Sequence, residues 1–535
     1  MDRLSPDLLA DMESKGIDAG LTLSILDDYN AGLYDSVGSV AAAGVPAIDG
    51  SSVVAMGPGA VYRVPASEAR ERLEELGLAL PASGVAAASG AAAPGAAASG
   101  AAGGEELVFS RAALEEIGRA LLGRTAYGVL NGGSATSYAD SKKNLAFGRE
   151  VFSALEPAFA ALAPLCRDRP KGLTPAYLNP DGSPGESFLV LKMRSRLVAA
   201  ARLGTAARLG TAARLGEAAA GGTPAAPFLP LFQMTSVGND AEIARAYAAY
   251  REHPFLAPLA RRLGLDPVEW RTGVQPMLAA YTHSSEGRPK RVFDRAQGKS
   301  DSALALPGGH GQCFRVLAPA LRALRESGVR FAYLGNVDNL GYLPDPAEIA
   351  VLALSGKPAG FDFSLRTSVD VKGGILVDTA EGGRTVADIG PAISFEEVRR
   401  LESGGAAILF NCATGLFDLD WLVPRIEDIG RRLPVRFTDQ DKDAGRYAQA
   451  EQVTWEVTSL LPGFVAFAVD KYDRFIAAKL LAETLLTSGV AEGDPRIPPE
   501  LAETSRRLNR GLAAKLAGPC GLKLEGGRWV PDDPR

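Results

Sequence analysis

The stretch CFRVLAPALRALRESGVRFAYLGNVDN, residues 313–339, decides the fold class of this chain. Its first part, Cys313 to Ser327, carries apolar residues at helical spacing and predicts a helix that ends at Gly328. The apolar run from Val329 to Leu334 predicts a buried strand, and the polar residues Gly335 to Asn339 follow it directly. A helix leading into a buried strand is typical of an α/β domain with a mainly parallel sheet, in which ligands bind beyond the carboxyl ends of the strands.

A second predicted strand also ends in a loop that could bind a ligand. Thr125 to Leu130 predicts a strand that runs into an Asn-Gly-Gly segment at 131–133. Paired glycines let the backbone approach a ligand closely, and Lys142 and Lys143 follow as candidates to hold phosphate oxygens. Taken alone, a glycine pair is more often only a turn, and the segment matches neither the Walker nor the dinucleotide fingerprint.

Composition and charge exclude several classes of function. The chain has 535 residues, 46% hydrophobic and 22% charged, so it can bury a large core in two or three domains. The 57 Lys and Arg against 63 Asp and Glu give a net charge of −6, which offers no global attraction for nucleic acid. We therefore expect no nucleic-acid partner.

Cysteine usage and the N-terminus indicate the compartment. Four cysteines are scattered without CxxC spacing, which indicates neither a zinc site nor a disulfide framework and fits a reducing compartment. Met1 to Pro6 lacks a basic region followed by an apolar stretch, and no run of about 18 uninterrupted apolar residues occurs. The expectation is a soluble, cytoplasmic protein with no membrane partner.

The sequence divides into four segments. Residues 1–80 carry helical signals and predict a small helical N-terminal segment, and residues 81–104, nearly all Ala, Gly, Ser and Pro, predict a flexible linker. Residues 105–480 predict the main α/β domain, and residues 481–535 predict a short helical C-terminal segment. A hexad LGTAAR that starts at Leu203 and is repeated from Leu209 is too short for a solenoid and predicts a surface insertion at about residues 200–222.

Two further loops could bind phosphate or metal. The segment LPGGHGQ, residues 306–312, enters the helix described above, so its amides could face an anion and His310 could donate to a phosphate. Asp338, with Asn336 nearby, lies beyond the strand end, where a carboxylate can take Mg²⁺ beside substrate phosphates. Each feature alone has a plainer explanation, because a lone histidine is more often structural and an Asp after a strand is often a turn residue.

Three more segments place polar residues where they could meet a ligand. They are DVKGG at 370–374, FNCAT at 410–414, which would place Asn411 at a strand end near sugar hydroxyls, and RFIAAK at 474–479, whose Lys479 could reach phosphates. A hairpin tip explains the first segment equally well, and a solvated lysine is the default for the last.

Taken in order, these segments resemble the eukaryotic-type UTP–glucose-1-phosphate uridylyltransferases and the related UDP-sugar and UDP-N-acetylhexosamine pyrophosphorylases. That family carries a Leu-Asn-Gly-Gly-Leu-Gly-Thr loop, a Gly-His-Gly turn, a Ser-Asn-Ile-Asp-Asn-Leu-Gly segment, an Asp-Val-Lys-Gly-Gly segment and an Arg-Phe-Leu-Pro-Val-Lys segment. The matching positions here are Leu130 to Thr136, Gly309 to Gly311, Gly335 to Gly341, Asp370 to Gly374 and Arg474 to Lys479. A Pro-Leu-x-x-Met-x-Ser segment at 230–236 and a uracil-contacting Gln at Gln275 extend the series, which covers roughly residues 105 to 480.

The resemblance implies a Rossmann-like nucleotide-diphospho-sugar transferase fold with a mixed central sheet. It also implies a magnesium-dependent reaction of UTP with glucose 1-phosphate that yields UDP-glucose and diphosphate. It assigns Mg²⁺ to Asp338 and catalytic roles to Lys479, Asp338, His310 and Lys143. The nucleotide would be bound by Leu130, Asn131, Gly132, Gly133, Met234, Gln275, Gly309 and Lys142. The sugar phosphate would be bound by Asn336, Lys372, Gly373, Asn411 and Phe475.

Departures from the family pattern leave alternatives open. Ala135 and Ala139 stand where the family has glycine, and Gln312 stands in place of Asp. The first loop is also one residue shorter before its lysines, so Lys142 and Lys143 compete for one role. The alternatives are the same chemistry on N-acetylglucosamine or galactose 1-phosphate, and a catalytically inactive relative that acts as a binding protein. A dinucleotide-dependent oxidoreductase would need a GxGxxG fingerprint that this sequence lacks, and the oligomeric state is left open.

Overall fold

The computed structural model describes residues 4–35, 40, 42–89, 105–135, 138–204, 228–268, 271–367, 373–390 and 392–534. Three sequence predictions lie at least partly outside the described residues: the linker from residue 90 to 104, the hexad repeat from residue 205 onward, and the role of Lys372. They stay predictions.

The helices follow the capping signals of the sequence. Ser5, Asp18, Ser110 and Ser187 each cap a helix by accepting a hydrogen bond from a main-chain N–H of its first turn. In chain order the helices are α1 (Pro6–Ser14), α2 (Ala19–Asn30), α3 (Ala66–Glu75), α4 (Arg111–Leu121), α5 (Ser141–Asn144), α6 (Arg149–Cys166), α7 (Phe188–Leu203), α8 (Asp240–Tyr250), α9 (Ala257–Leu263), α10 (Cys313–Val316), α11 (Ala318–Glu326), α12 (Pro346–Ser355), α13 (Phe395–Ser403), α14 (Leu419–Leu422), α15 (Ile426–Arg432), α16 (Lys471–Arg474), α17 (Leu481–Thr487) and α18 (Pro499–Ala517). Within the described ranges, none of them has the length and apolar character needed to cross a membrane.

The strands are short, and most of the central ones are buried along their whole length. In chain order they are β1 (Ala42–Gly44), β2 (Val53–Ala55), β3 (Val61–Pro65), β4 (Val85–Ser89), β5 (Glu105–Ser110), β6 (Thr125–Leu130), β7 (Leu231–Ser236), β8 (Arg271–Gln275), β9 (Met277–Ala279), β10 (Tyr281–Thr282), β11 (Ala305–Pro307), β12 (Phe331–Asn336), β13 (Ala359–Leu365), β14 (Gly374–Thr379), β15 (Arg384–Asp388), β16 (Leu409–Asp418), β17 (Val435–Lys442), β18 (Gly445–Gln452), β19 (Val465–Val469), β20 (Leu522–Glu525) and β21 (Arg528–Pro531).

A mixed sheet forms the centre of the fold, as predicted. Its strands lie in the order β2-β19-β13-β16-β12-β6-β7-β8, and β14, β15 and β1 extend from β16. β16 runs antiparallel to β13 and β12, whereas the other neighbours along this order are parallel. Tyr127 and Val129 of β6 lie in one hydrophobic cluster and Ala126 and Leu130 in another, so both faces of the sheet are covered.

Four neighbouring parallel strands end in register at one edge of this sheet. Leu130, the last residue of β6, lies opposite Asn336 of β12 and Met234 of β7, and Ser236 of β7 lies opposite Gln275 of β8. Because the carboxyl ends of parallel strands meet at the same edge, the loops that follow these strands are neighbours. Most of the predicted site residues lie in or beside these loops.

Residues 313–339 fold as predicted, except that their helix is interrupted once. The helix predicted from Cys313 to Ser327 consists of α10 and α11, which are separated at Leu317. Pro319 explains the break, because it has no N–H to donate to the carbonyl of Arg315 and so cannot extend α10. The predicted strand follows as β12, which is almost wholly buried.

The N-terminal segment is not helical throughout, which corrects the prediction for residues 1–80. Besides α1, α2 and α3 it contains β1, β2 and β3. β2 pairs with β19 at the end of the central sheet, and β3 pairs with β5 in a separate three-stranded sheet that also includes β4. Since β4 lies within residues 81–104, the predicted linker also begins with a strand. Strands of three to five residues give too little alternation to be recognised, and their partners lie elsewhere in the chain.

The C-terminal segment contains the two predicted helices, α17 and α18, and a hairpin of β20 and β21 that the sequence did not predict. Arg194 of α7 holds this hairpin in place. Its guanidinium donates to the carbonyls of Cys520 and Gly521 at 2.6 and 2.7 Å and pairs with Asp533 at 2.8 Å.

Candidate active site

The glycine loop after β6 lies against the end of β8. A Cβ on Gly132 would lie 2.9 Å from Oε1 of Gln275, so a glycine lets the loop approach this amide closely. The buried Gln275 donates from Nε2 to the carbonyl of Gly309 at 2.8 Å. Gly309 has a φ of +82°, and a Cβ there would lie 2.3 Å from the carbonyl oxygen of Gln452. The structure therefore brings together Gly132, Gln275 and Gly309, which the sequence assigned to nucleotide binding from three separate segments.

Asn131 fixes the base of the glycine loop through hydrogen bonds. It is fully buried, its N–H donates to the carbonyl of Met234 at 2.8 Å, and its side chain accepts from the N–H of Gly172 at 3.1 Å. Gly133, by contrast, presents open space, because no described atom lies within 4 Å of its Cβ position. The loop is thus rigid at its base and open toward a ligand at Gly133.

The side chain of Met234 is buried in the hydrophobic cluster on one face of the sheet, together with Phe314 and Leu317. Its main-chain carbonyl accepts from the N–H of Asn131 in the glycine loop. A nucleotide contact of Met234 stays a prediction. Leu130 is likewise buried in that cluster at the end of β6.

His310 is held as a neutral hydrogen-bond donor. The N–H of Thr454 donates to its Nδ1 at 3.1 Å, so in the neutral ring the hydrogen resides on Nε2. Burial lowers the pKa of His310 to about 4, and the positive charge of Lys479 lowers the pKa further in the same direction. At neutral pH the ring therefore offers an Nε2–H donor without a charge.

The Asp338 turn and the segment that carries Lys479 are bonded to each other. The N–H of Leu340 donates to the carbonyl of Ile476 at 2.9 Å, and the side chain of Asn339 donates to the carbonyl of Arg474 at 3.0 Å. Asp338 itself is half-buried. The two segments that the resemblance assigns to metal binding and to catalysis therefore form one structural unit.

A buried lysine of α7 also holds the Asp338 turn. Lys192 donates to the carbonyls of Asn339 and Tyr342, the latter at 2.6 Å. Burial lowers the pKa of Lys192 to about 7, and Asp338 opposes that shift. The turn is thus fixed from two sides.

The Lys479 main chain is fixed by a carboxylate of α17. Glu483 accepts from the N–H groups of Lys479 and Leu480 at 2.6 and 2.8 Å. Burial raises the pKa of Glu483, and these two hydrogen bonds oppose the rise. The side chain of Lys479 is exposed, and its charge acts on His310.

Lys171 is a candidate site residue that the sequence did not reveal. It is buried, its Nζ donates to the carbonyl of Ala478 at 2.7 Å, and it lies 3.1 Å from the centre of the Tyr138 ring. Burial lowers the pKa of Lys171 to about 8, while Asp338 and Glu483 act to raise it. A lysine between Pro170 and Gly172 was the available signal, but the helix α6 separates it from the glycine loop in the chain.

Lys142 and Lys143 lie on the short helix α5 and are both exposed. Asn144 fixes this helix, since its side chain donates to the carbonyl of Tyr138 at 2.9 Å and accepts from the N–H of Ala482 at 2.8 Å. The helix therefore lies near the Lys479 segment, and the phosphate role of either lysine stays a prediction.

Of the predicted sugar-phosphate residues, Asn336 ends β12 and Phe475 follows α16. Asn411 lies inside β16 rather than at a strand end, which corrects the prediction. The register of β13 against β16 shifts beside Asn411, which explains why the run of apolar residues ends before the strand does. Gly373 has a φ of +138°, and a Cβ there would lie 2.6 Å from the Phe410 ring. Lys372 lies outside the described residues.

The donor set suits a magnesium ion shared with a substrate. Among the described residues, no group of three or more His, Cys, Asp or Glu side chains could hold a metal by themselves. Mg²⁺ is usually bound by one or two carboxylates, with water and phosphate oxygens completing its shell. Asp338, half-buried at the strand-end edge, fits that role, so its assignment to Mg²⁺ stays a prediction that the geometry permits.

Two solved structures are similar to this chain at a low level. A point mutant of UDP-glucose pyrophosphorylase from Leishmania major is 17% identical with a TM-score of 0.47, over 69% of this chain and 66% of that one. A proposed UDP-N-acetylglucosamine pyrophosphorylase from Entamoeba histolytica is 16% identical with a TM-score of 0.46, over 68% and 78% of the two chains. The chain thus spans about two thirds of the length of the Leishmania protein.

A family model gives a more direct result. The model described as UTP–glucose-1-phosphate uridylyltransferase matches residues 289–489. This range contains His310, Asp338 and Lys479, whereas the glycine loop and Gln275 lie outside it. Over residues 289–489, the chain is similar to the UTP–glucose-1-phosphate uridylyltransferase family.

Proposed function

We propose that this protein is a nucleotidyltransferase that joins a sugar 1-phosphate to UTP and releases diphosphate, with glucose 1-phosphate as the sugar phosphate. One observation carries the proposal: Lys171 donates to the carbonyl of Ala478, beside Lys479, and the charge of Asp338 acts on Lys171 while that of Lys479 acts on His310. His310 follows Gly309, which accepts a hydrogen bond from Gln275 beside the glycine loop. His310, Asp338 and the two lysines are a neutral donor, a carboxylate and two cations, which is the set that transfer at a phosphorus atom requires.

The nucleotide would lie along the glycine loop. The side-chain amide of Gln275 and the main-chain carbonyl of Gly309 lie beside Gly132 and are hydrogen-bonded to each other. The edge of a uracil ring could take the place of that hydrogen bond. Gly133 leaves room for phosphates. Lys171, whose N–H donates to the carbonyl of Gly133 at 3.1 Å, places its ammonium group on the side of Asp338.

In the reaction, a phosphate oxygen of the sugar 1-phosphate forms a bond to the α-phosphorus of UTP. The bond from that phosphorus to the bridging oxygen breaks, and diphosphate leaves with the electron pair. No protein nucleophile takes part. Lys479 and Lys171 stabilise negative charge on the oxygens around the α-phosphorus, and the Nε2–H of His310 donates to one of them.

Magnesium fits at Asp338, where it would neutralise phosphate charge when bound. The residues of the chain orient the groups around it: Lys192 and Asn339 fix the Asp338 turn, and Glu483 fixes the main chain of Lys479. Arg474 anchors the start of the same segment, since it is buried and pairs with Glu348 at 2.8 Å.

The test is diphosphate release by the full chain with UTP and Mg²⁺, assayed with glucose, galactose and N-acetylglucosamine 1-phosphates. Asp338→Ala and Lys479→Ala should each lower turnover on the order of 10²-fold or more, because each removes a charge next to the reacting phosphates. Lys523→Ala is the matched control, since this exposed lysine pairs with Glu525 on the C-terminal hairpin.

The sugar panel separates the alternatives. Release with glucose 1-phosphate that both site variants abolish supports the proposal, and faster release with another sugar keeps the reaction but changes the substrate. No release with any sugar would favour an inactive relative that binds UTP. Full activity of Lys479→Ala would overturn the assignment of that residue.

A further inference from the structure

The two candidate base-reading groups lie at the same end of one short two-stranded ribbon. β9 and β11 pair antiparallel, with Met277 opposite Pro307. Gln275 lies two residues before Met277, and Gly309 lies two residues after Pro307. The side chain of Gln275 and the carbonyl of Gly309 are hydrogen-bonded at 2.8 Å. The position of this ribbon therefore sets where these two groups meet a ligand.

The turn between α1 and α2 adds a third chain to the ribbon. The N–H of Met277 donates to the carbonyl of Gly16 at 3.0 Å, and its carbonyl accepts from the N–H of Asp18 at 2.9 Å. Ile17 forms a parallel bridge with the same residue. Gly16 has a φ of +66°, and a Cβ there would lie 3.0 Å from Cγ2 of Val237, so a glycine lets the turn approach this closely. Both main-chain polar groups of Met277 are thus bonded to the N-terminal segment.

Helix α1 binds the chain that leads into the other strand, and it does so through two charged side chains. The N–H of Ala303, two residues before β11, donates to Oδ2 of Asp11 at 2.7 Å. The carbonyl of Ala303 accepts from Nζ of Lys15 at 2.7 Å, and Lys15 also pairs with Asp11 at 2.7 Å. A carboxylate and an ammonium group therefore take the places that a neighbouring strand would fill. Hydrogen bonds to charged groups are stronger than those between neutral groups.

Helix α2 makes a third attachment, at the end of β9. Thr22 is fully buried, and its Oγ1 accepts from the N–H of Ala279 at 3.2 Å. The carbonyl of Thr22 accepts from the hydroxyl of Tyr281 at 3.0 Å. Apolar side chains of both helices also pack with Leu278 and Tyr281 in one hydrophobic cluster. The N-terminal helices therefore hold both chains of the ribbon by hydrogen bonds and by apolar packing.

We infer that the N-terminal helix pair, residues 6–30, positions the ribbon for recognition of the nucleobase, with Asp11 and Thr22 as positioning residues. The inference rests on the proposed function, in which a uracil edge takes the place of the hydrogen bond between Gln275 and Gly309. A main-chain carbonyl selects a base that offers a hydrogen-bond donor, and N3 of uracil carries a hydrogen whereas N3 of cytosine does not. Because hydrogen bonds weaken steeply away from their preferred geometry, a displaced ribbon loses this selection.

Calorimetric titration of UTP and of CTP into the full chain, with Mg²⁺ and without a sugar phosphate, tests this role. The wild type should bind UTP more tightly than CTP. Asp11→Ala removes the acceptor for Ala303, and Thr22→Val removes the acceptor for Ala279 while keeping the shape of the side chain. Each variant should lower the ratio of the two affinities about fivefold.

Two further variants make the titration specific. Asp11→Asn should keep most of the preference for UTP, because its amide oxygen can still accept from the N–H of Ala303. Glu13→Ala is the matched control, since it removes an exposed carboxylate from the same helix and should leave both affinities unchanged.

A reduced preference for UTP in Asp11→Ala and Thr22→Val, with the wild-type preference in Glu13→Ala, would establish the role. A lower melting temperature with an unchanged ratio of affinities would show a merely structural role and refute the inference. Equal affinities of the wild type for UTP and CTP would also refute it. If Asp11→Ala does not fold, Thr22→Val decides the question. A wild type that prefers UTP but releases no diphosphate with any sugar phosphate would contradict the proposed reaction alone, because the titration measures binding without turnover.

Discussion

Removing the buried charge of Arg474 should destabilise the protein in a pH-dependent way. The Arg474 side chain is 7% exposed and pairs with Glu348, 0% exposed, at 2.8 Å and with Asp362, 1% exposed, at 3.0 Å. Burial and the neighbouring carboxylate raise the pKa of Glu348 well above its ordinary value, and burial also raises the pKa of Asp362. Glu348 is therefore the carboxyl group of this pair that takes up a proton more readily, and Arg474 balances negative charge on the pair.

The variant Arg474→Met leaves two buried carboxyl groups without a counter-charge, which typically costs about 3–5 kcal/mol. The entropy of unfolding is about 2.1 cal/mol/K per residue, so for 535 residues unfolding together the melting temperature should fall by about 3–5 °C at pH 8. The loss should be small at pH 5. A carboxyl group that must be protonated in the folded state has a raised pKa in that state. The stability that it contributes is therefore present below its unfolded pKa and is lost as the pH rises.

The pH slope is the decisive part of this prediction. The variant needs one more protonated carboxyl than the wild type, so the gap in unfolding free energy should widen by about 1.4 kcal/mol per pH unit. Differential scanning calorimetry at pH 5, 6.5 and 8 measures it. Arg400→Met is the control, because that exposed arginine pairs with the surface residue Glu397 and should leave the melting temperature unchanged. An equal loss at pH 5 and pH 8 would show that Arg474 does not neutralise the buried pair.

Three further predictions concern the site. The diphosphate assay compares Lys171→Met with Lys142→Met and Lys143→Met. Lys171→Met should lower turnover most, on the order of 10²-fold, because Lys171 is the buried cation on which the charge of Asp338 acts. A larger loss for Lys143→Met would favour the assignment from the resemblance. Gln275→Leu should raise the KM for UTP about tenfold, and an unchanged KM would remove Gln275 from uracil recognition. The pKa of His310 is about 4 in the folded protein and about 6.5 in the unfolded chain, so as the pH falls the unfolded chain takes up the proton first. The free energy of unfolding should therefore decrease between pH 6.5 and 4. In urea denaturation, a His310→Gln variant should show a smaller decrease over this range.

The sequence was sufficient wherever a loop directly follows its own strand. The glycine loop after Leu130 and the polar turn after Asn336 were both predicted, because a buried strand and the polar residues that end it are adjacent in the chain. The helices at Pro6 and Pro499 were predicted for a similar reason, since capping and helical spacing are local properties. The order of short motifs then indicated the family, which the match to residues 289–489 bears out.

Only the tertiary structure decided which side chains meet. The charge of Asp338 acts on Lys171 because the chain after α6 returns to the glycine loop, where the N–H of Lys171 donates to Gly133, and nothing local to Lys171 specifies that approach. Met234 faces the core because pairing of β7 with two neighbours sets its register. The charge of Arg474 is likewise balanced by residues more than a hundred positions away. Helix capping and strand-end signals are local, whereas the pairing of short strands, burial and electrostatic partnership depend on contacts between distant segments, which form only when the whole chain has packed.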